Sequence, residues 1–374
     1  MPAQGVRPQG LTRLLPIALL CVLPSLSAHA ADTLLERADA AVARASEPSA
    51  PWTGPRSGPK AQADKRILYI AEDLRNGGVL GVGRGIQEAA GVIGWSVRVI
   101  DLQGSAEGRA EGFAKALAQA PDGVILGGMD ALANAHHLNP FQQRGIPVVG
   151  WHVAPTPGPV SGTPVAFNVT SDNLEVARIA AYYALSRSRG RAKVVIFTDS
   201  NFEIAMFKAN AMADVIRECD GCRLLSIEDL AISRAETLMP TRSRELRHRH
   251  GRDWQYSLAI NDIYFDFADT WGSLDADTPE TVNISAGDGS ASAFQRIRSG
   301  GLQGGTVPEP LNLQGWQLVD ELNRLLAGQP ISDYVAPVHL VTEENVRYDG
   351  GERGGYDPDN GYREIYRTIW GREQ

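Results

Sequence analysis

Polar and aromatic side chains recur in this sequence directly after short apolar runs. Carboxylates, amides and guanidinium groups can each hold two neighbouring hydroxyls of a polyol, and an aromatic face can cover the C–H surface of a sugar ring. These residue types are therefore suited to binding a small polar solute. The candidates are Asp73, Arg75, Asn76, Trp151, His152, Asp199, Asn201, Asn261, Asp262 and Asp288.

The apolar runs predict the strands that would position these side chains. Arg66 to Ala71 is apolar almost throughout, as expected for a parallel strand covered on both faces, and the spacing from Val79 to Gly91 predicts a helix after it. This alternation implies right-handed crossovers and parallel sheets, in which ligands bind beyond the carboxyl ends of the strands. Strands are predicted at 66–71, 95–100, 123–126, 147–150, 193–198, 223–227, 257–260, 281–285, 304–307 and 338–342. Helices are predicted at 79–91, 112–120, 131–144, 174–186, 204–218, 237–248, 290–299 and 314–327. The fold class is therefore α/β, with two doubly wound parallel-sheet lobes joined by a hinge.

The first thirty residues have the pattern of a cleavable secretory signal. Arg7 and Arg13 precede an apolar run from Leu14 to Leu26, and Ala28 and Ala30 form an Ala-x-Ala end. The run is too short to span a bilayer. We expect cleavage near Ala30 and a periplasmic protein. Because that compartment has no ready supply of ATP or NAD, capture of a small solute is favoured over nucleotide chemistry.

Composition limits the partners. The formal net charge of the 374-residue chain is −8, which argues against a nucleic-acid or anionic-membrane partner. The basic run from Arg242 to His250 is an exception and is interpreted as a solvated helix end. Without the signal and a linker, roughly 310 residues remain, enough for two lobes with separate cores.

Two cysteines remain after removal of the signal that contains Cys21. Cys219 and Cys222 flank an Asp-Gly pair, and in an oxidising periplasm a short local disulfide is expected. A redox-active pair or half of a zinc site is the alternative, although the sequence has no second cysteine pair to complete a four-cysteine site.

Six stretches follow one another in an order that is typical of a known family. They are Ile67–Ala90, Pro121–Leu126, Gly145–Val149, Asn168–Asn173, Ala259–Asp262 and Gly287–Gly289. In this order they resemble the type I periplasmic solute-binding proteins of ABC transporters, in the branch that binds ribose, galactose and xylose. The resemblance extends from Lys65 to about Leu340.

The resemblance implies a division of the chain and a set of binding residues. The expected parts are a signal peptide (1–30), an extension with a Pro-rich tether (31–64), an N-terminal lobe (65–169 plus 310–338) and a C-terminal lobe (170–309 plus 339–374). Hydroxyl-binding groups are implied at Asn76, His152, Asn261, Asp288 and Glu309. Asn76, Asn261 and Asp288 could instead cap helices or turns, as Asn and Asp often do after strands.

The sequence departs from the family pattern at several of these positions. Gly78 and Val79 stand where many sugar binders carry two phenylalanines. His152 begins the dipeptide that replaces a typical Asp-Arg pair, and Trp151 before it could supply the lost aromatic stack or belong to the core. Phe207 lies near the position of an expected arginine and is included as a ligand contact.

Together these features predict the periplasmic binding component of an ABC importer. It would capture a small polar solute, a sugar or polyol, by hinge closure, act as a monomer and deliver the ligand to a permease in the inner membrane. No cofactor, metal, nucleic-acid partner or catalytic residue is expected, since the sequence has neither a Gly-x-Ser-x-Gly elbow nor a dinucleotide fingerprint. One alternative is a receptor of the same fold that feeds a chemoreceptor or sensor kinase. Another is an exported carbohydrate-active enzyme that uses acids such as Asp262 and Asp288.

Overall fold

The computed structural model describes residues 1–3, 5, 33–48, 51–267, 281–349 and 354–372. The chain divides into two compact units, Met1–Asp32 and Thr33–Gln374, and every helix and strand below lies in the second. The predicted signal peptide lies almost entirely outside the described residues and stays a prediction. Within the described ranges, no helix is long and apolar enough to cross a membrane.

The first sheet has five parallel strands in the order β2-β1-β3-β4-β5. These strands are β1 (Arg66–Ala71), β2 (Ser96–Asp101), β3 (Gly123–Gly127), β4 (Val148–Trp151) and β5 (Val165–Val169). Helices cover both faces, namely α2 (Gly77–Ile93) and α9 (Leu311–Leu326) on one, and α3 (Ala106–Ala118) and α4 (Ala135–Gln143) on the other. Tyr69 of β1 packs among the first pair of helices and Ile70 among the second. This two-sided burial explains the continuous apolar run of β1.

The second sheet has six strands in the order β11-β10-β9-β8-β6-β7. They are β6 (Lys193–Thr198), β7 (Arg223–Asp229), β8 (Tyr256–Ala259), β9 (Val282–Ser285), β10 (Gln303–Thr306) and β11 (Val341–Thr342). All neighbours are parallel except β11, which pairs antiparallel with β10. The surrounding helices are α5 (Asn173–Ser188), α6 (Glu203–Glu218), α7 (Ala235–His250), α8 (Ala291–Arg298) and the short α10 (Val346–Asp349). The predicted α/β architecture with two doubly wound lobes is confirmed.

Between β1 and β11 the chain passes from one lobe to the other three times. The crossings lie between β5 and α5, between β10 and α9, and between α9 and β11. Ser171 lies in the first crossing and Glu309 in the second. The crossings therefore bring residues that are far apart in the sequence together beside the cleft.

The C-terminal helix differs from the expected division. Residues 339–374 are predicted in the C-terminal lobe, but α11 (Tyr362–Trp370) packs in the core of the first lobe. The Trp370 ring stacks on Trp316 of α9, with centroids 5.4 Å apart, and its indole nitrogen donates to Asp320 Oδ1 at 2.8 Å. The apolar residues of α11 recur at helical spacing, and this amphipathic face is what seats the helix on α9.

The N-terminal extension is packed on the folded body at both α1 and Trp52, so its Pro-rich part is more than the tether that the sequence predicts. Helix α1 (Leu34–Ala45) begins at a capping box in which Thr33 and Glu36 each bond to the other's backbone N–H, and it packs in the core of the second lobe. Trp52 is only 5% exposed, and its ring lies 4.8 Å from that of Tyr334 in the core of the first lobe. Burial of this one large aromatic side chain anchors a stretch that is otherwise rich in Pro and Gly.

The structure contains the expected disulfide between Cys219 and Cys222. The bond closes the turn between α6 and β7, where the Cys222 N–H donates to the Cys219 carbonyl at 3.0 Å. Because parallel strands align, this turn lies at the amino end of β7, opposite to the edge at which the polar candidates follow the strands.

Candidate functional site

A cavity of about 370 Å³ lies at the carboxyl ends of strands from both sheets. Its walls are formed by the residues that follow β1, β3 and β4 in the first lobe and β6, β8 and β9 in the second. The polar lining of the first lobe is Glu72, Asp73, Asn76, Arg109, Asp130, Asn134 and His152. The polar lining of the second lobe is Asp199, Asn201, Lys208, Ser233, Asn261 and Asp288. More than half of these polar residues are ones that the sequence analysis expects beyond strand ends, namely Asp73, Asn76, His152, Asp199, Asn201, Asn261 and Asp288.

Asn261 and Asp288 form a buried pair on the second lobe. Asn261 Nδ2 donates to Asp288 Oδ2 at 2.6 Å, and Asn261 Oδ1 accepts from the Ile263 N–H at 3.0 Å. Burial raises the pKa of Asp288, and the charges of His152 and Lys208 oppose that rise only in part. Its second oxygen, Oδ1, makes no hydrogen bond among the described residues and lies 3.7 Å from His152 Nδ1.

Trp151 and His152 form one stacked unit at the end of β4. Their rings are 3.9 Å apart and 7° from parallel, and His152 adopts a left-handed backbone conformation (φ 52°) that is uncommon outside glycine. Trp151 is 1% exposed, and its indole nitrogen donates to Gln314 Oε1 at 2.7 Å. Trp151 is therefore largely a core residue beneath His152, although both residues line the cavity.

Glu309 does not line the cavity, so the expectation that it contacts ligand is wrong in this conformation. It lies 1% exposed in the second crossing, where its Oε2 accepts from the Ser171 N–H (3.1 Å) and hydroxyl (2.7 Å) and from Gln314 Nε2. Its Oε1 is 3.1 Å from His152 Nε2, without hydrogen-bond alignment, so this contact is mainly electrostatic. Burial alone would raise the pKa of Glu309, but His152, Lys208 and Ser171 together lower it to about 2. Glu309 therefore holds His152 rather than ligand.

Two other predicted contacts also lie outside the lining. Asp262 is fully buried, and its Oδ2 accepts from the Gly289 and Ser290 N–H groups at 2.8 and 3.0 Å. Its Oδ1 accepts from the side chains of Ser285, Gln303 and Thr306. These bonds fix the loop that carries Asp288.

Phe207 is placed off the cavity by the periodicity of α6. The residues of this helix region that line the cavity are Phe202, Ile204, Ala205 and Lys208, which share one face. The structure therefore places Phe207 outside the cavity, although other residues of its helix line it. Lys208 is 2% exposed, and its Nζ donates to the Ala286 carbonyl at 3.0 Å.

Asn76 has two roles at the start of α2. Its Oδ1 caps the helix by accepting from the Gly78 N–H at 2.9 Å, and the residue lines the cavity. The cap and the binding interpretation are therefore compatible, because the cap uses the side-chain carbonyl and leaves the amide nitrogen as a donor.

Sequence reasoning missed an ion pair in the first lobe. Arg109 of α3 forms a bidentate ion pair with Glu72. Its Nε lies 3.1 Å from Glu72 Oε2, and its Nη2 donates to Glu72 Oε1. Burial raises the pKa of Glu72, and Arg109 opposes that rise. The signal for Glu72 was its place directly after β1, whereas Arg109 lies inside a helix and gave none.

Comparison with known proteins gives the family. A family model described as a periplasmic binding protein domain matches residues 67–330. The chain belongs to this family. No curated protein matches it, and among the residues that the structure describes, no group of three or more His, Cys, Asp or Glu side chains could hold a metal ion.

Solved structures of ABC transporter proteins share the fold. A sugar ABC transporter protein from Yersinia enterocolitica superposes with a TM-score of 0.68 and 14% identity, over 83% of this chain and 96% of that chain. A solute-binding protein from Agrobacterium vitis with bound allitol has a TM-score of 0.62 and 17% identity, over 76% and 97%. One from Bacillus halodurans with bound myo-inositol has a TM-score of 0.61 and 17% identity, over 78% and 97%. At these identities the likeness establishes the fold alone.

Within this periplasmic binding protein fold, the departure at Gly78 has a local explanation. A β-carbon at residue 78 would lie 2.5 Å from the Cβ, Cγ and Oδ2 atoms of Asp288. The start of α2 and the loop after β9 can therefore approach this closely only because residue 78 has no side chain. The space that a phenylalanine would need is occupied by Asp288.

Proposed function

We propose that this periplasmic binding protein is the solute-capturing component of an ABC importer, with a small sugar or polyol as its ligand. The observation that carries the proposal is the cavity of about 370 Å³, whose polar groups come from both lobes. Its volume lies at the small end of ligand pockets, and its walls combine planar hydrogen-bonding groups with the rings of His152 and Phe202. The polyols allitol and myo-inositol bound to two structural neighbours agree with this ligand class.

The proposed ligand contacts are Asn76, His152, Asn261 and Asp288. Each lines the cavity, and Asp288 Oδ1 and the Asn76 amide nitrogen are available to ligand hydroxyls. Trp151 supports the His152 ring from behind, and Glu309 fixes it from the crossing. The site therefore consists of a few convergent polar groups, held in place by buried neighbours.

Ligand capture is proposed to couple to closure of the lobes about the three crossings. One moving body would be residues 65–169 with 310–338 and α11. The other would be residues 170–309 with α1 and with the chain that follows 338 as far as β11 and α10. Because contacts come from both lobes, a ligand binds the closed form more tightly than the open one. A difference of a few kcal/mol is enough to shift the population, since about 5.5 kcal/mol takes an equilibrium from 1:99 to 99:1.

The proposed location is the periplasm, after removal of residues 1–30, with a permease in the inner membrane as partner. The Cys219–Cys222 disulfide is consistent with an oxidising compartment. We propose that the protein works as a monomer, because one chain carries both walls of the cavity.

The test uses the chain from Ala31 onward, purified without its signal, in a thermal-shift screen of neutral sugars and polyols. A ligand at one hundred times its Kd should stabilise the protein by about 2.7 kcal/mol. Titration calorimetry should then give one ligand per chain, with the ligand recovered unchanged. No stabilisation by any member of the panel, or conversion of the bound sugar to product, would overturn the proposal.

A further inference from the structure

The charges in the cavity wall are unbalanced. Its lining contains five carboxylates but only two Lys or Arg side chains, Arg109 and Lys208. Arg109 is paired with Glu72 through its Nε and Nη2 atoms. Asp73 is paired in the same way by Arg75 at the cavity edge, with Arg75 Nη2 2.6 Å from Asp73 Oδ2.

Three carboxylates remain after these pairs are removed, namely Asp130, Asp199 and Asp288. In the described part of the chain, none of the three forms an ion pair with a lysine or arginine. Asp288 is 4% exposed, and Asp199 is 1% exposed. The oxygens of Asp199 accept hydrogen bonds from Asn201 and from the Ile232 N–H, which carry no charge, so its negative charge remains uncompensated. Lys208 is the remaining lining cation, and one of its three donors is used by the Ala286 carbonyl.

A second observation points to a ligand that donates hydrogen bonds. The side chain of Asp288 is 6% exposed, yet its Oδ1 has no hydrogen-bond partner among the described residues. Because Asp288 lines the cavity, a ligand donor there can bond to this oxygen. A donor that also carries positive charge would satisfy the local charge as well.

The aromatic wall fits the same chemistry. Phe202 at the start of α6 and Asp130 after β3 come from opposite lobes, and both line the cavity. An ammonium group is attracted both to an aromatic face and to a carboxylate. A ligand carboxylate would instead meet three acids that no lysine or arginine pairs, with only Lys208 and His152 of the lining to oppose them.

We propose that the ligand is a polyhydroxylated amine of monosaccharide size, such as an amino sugar or amino polyol, whose ammonium group neutralises the Asp130, Asp199 and Asp288 wall. This inference rests on the proposed function, which it narrows from neutral sugars and polyols to cationic ones. Acidic sugars are excluded as ligands.

The test compares ligands that differ only by an amine in place of a hydroxyl. Calorimetry at about pH 6, where such amines are protonated, is run on glucosamine with glucose, galactosamine with galactose, mannosamine with mannose, and glucamine with sorbitol. In at least one pair the amine should bind about tenfold more tightly or better, as a charged hydrogen bond supplies. If neutral members, or any other neutral polyol of the wider panel, bind as tightly as every amine, this inference fails and the proposed function stands. If nothing in either panel binds, both fail.

Isosteric variants then separate charge from shape. Asp130→Asn, Asp199→Asn and Asp288→Asn each keep an oxygen acceptor, and at least one should reduce the preference for the amine about tenfold. Lys208→Gln should increase that preference. Asp214→Asn is the matched control, because Asp214 lies on the same helix as Lys208 with its side chain 75% exposed and outside the cavity lining. An amine preference that is the same in all three wall variants and in the control would overturn the assignment.

Discussion

Asp288 lies directly against Gly78, so that a β-carbon on residue 78 would be 2.5 Å from the aspartate Cγ. The two residues belong to different lobes, one at the start of α2 and the other after β9. Their close approach brings the two lobes together beside the cavity, and a single substitution at residue 78 tests it.

Gly78→Ala should weaken ligand binding without unfolding the protein. The added methyl group must displace Asp288 or separate the lobes, and either change disturbs the Asn261–Asp288 pair. We expect the Kd to rise about tenfold, as measured by calorimetry. Gly91→Ala on the same helix is the control, since nothing lies within 4 Å of its added carbon. This control should stabilise the protein by about 0.5–1 kcal/mol and leave the Kd unchanged. Equal Kd values for the two variants would contradict the proposed importance of this contact.

Asn261→Ala should affect ligand binding and Asp262→Ala should affect stability, although the two residues are neighbours in the sequence. Asn261 lines the cavity and positions Asp288, so its loss should weaken binding by at least about 1 kcal/mol. Asp262 accepts bonds from two backbone N–H groups and three side chains in the interior, so its loss should lower the free energy of unfolding by about 3 kcal/mol or more. Calorimetry and urea unfolding on both variants check the distinction. A large loss of affinity with normal stability in Asp262→Ala would return that residue to the binding site.

Glu309 should stabilise the protein in a manner that depends on pH. Its pKa in the folded protein is about 2, below the ordinary 4.5, so the folded state holds its proton less tightly than the unfolded chain. The stabilisation is therefore fully present above about pH 4.5 and is lost as the pH falls towards 2. The stability difference between the wild-type protein and Glu309→Gln, measured by urea unfolding, should decrease as the pH falls from about 4.5 towards 2. A difference that grows on acidification would contradict the assignment.

The contribution of Glu321 to stability should change with pH in the opposite direction to that of Glu309. Burial raises its pKa to about 7, against the hydrogen bonds that it accepts from Ser332, including one of 2.8 Å from the backbone N–H. The folded state then holds this proton more tightly than the unfolded chain, so stability is highest below about pH 4.5 and falls as the pH rises through 7. The Glu321→Gln variant should not lose this stability. Between pH 4.5 and 8 its free energy of unfolding should therefore rise relative to that of the wild-type protein by on the order of 3 kcal/mol. Glu111→Gln, an exposed change on α3, should follow the wild-type curve.

Removal of the disulfide should affect stability but leave binding unchanged. Cys219 is eleven residues beyond Lys208 on α6, which places the bond about 16 Å along the helix from the cavity wall. The closed loop is short, so Cys219→Ser with Cys222→Ser should reduce the free energy of unfolding by about 2 kcal/mol. The Kd should not change. Thiol labelling of protein taken from the periplasm should find neither cysteine free, and two reactive thiols would contradict the bond.

Helices and strands could be predicted from the sequence where a local pattern, such as a continuous apolar run, was sufficient to identify them. Strands β1 and β6 are continuous apolar runs because helices cover both faces of their sheets, so their position was predicted almost to the residue. Strand β5 was missed because it follows a Pro- and Gly-rich loop and was interpreted as part of a crossover. Helix α11 was missed because its partner, α9, lies far away in the sequence.

The same distinction applies to the candidate site. Asn76, His152 and Asp288 were predicted because each directly follows a strand or opens the next helix. Asp262 and Glu309 have equally suitable chemistry, but their neighbours in space use their oxygens. Such competition depends on the tertiary structure, and residue type and spacing do not report it.

The packed N-terminal extension adds a further covalent connection between the lobes, besides the three crossings and the passage from α10 to α11. Helix α1 is fixed in the core of the second lobe, and Trp52 is fixed in the core of the first. The seven peptide steps from Ala45 to Trp52 can reach at most about 25 Å when fully extended. The extension therefore limits the distance to which the two lobes can separate at these two attachment points. A chain shortened to begin after Trp52 would lack that limit.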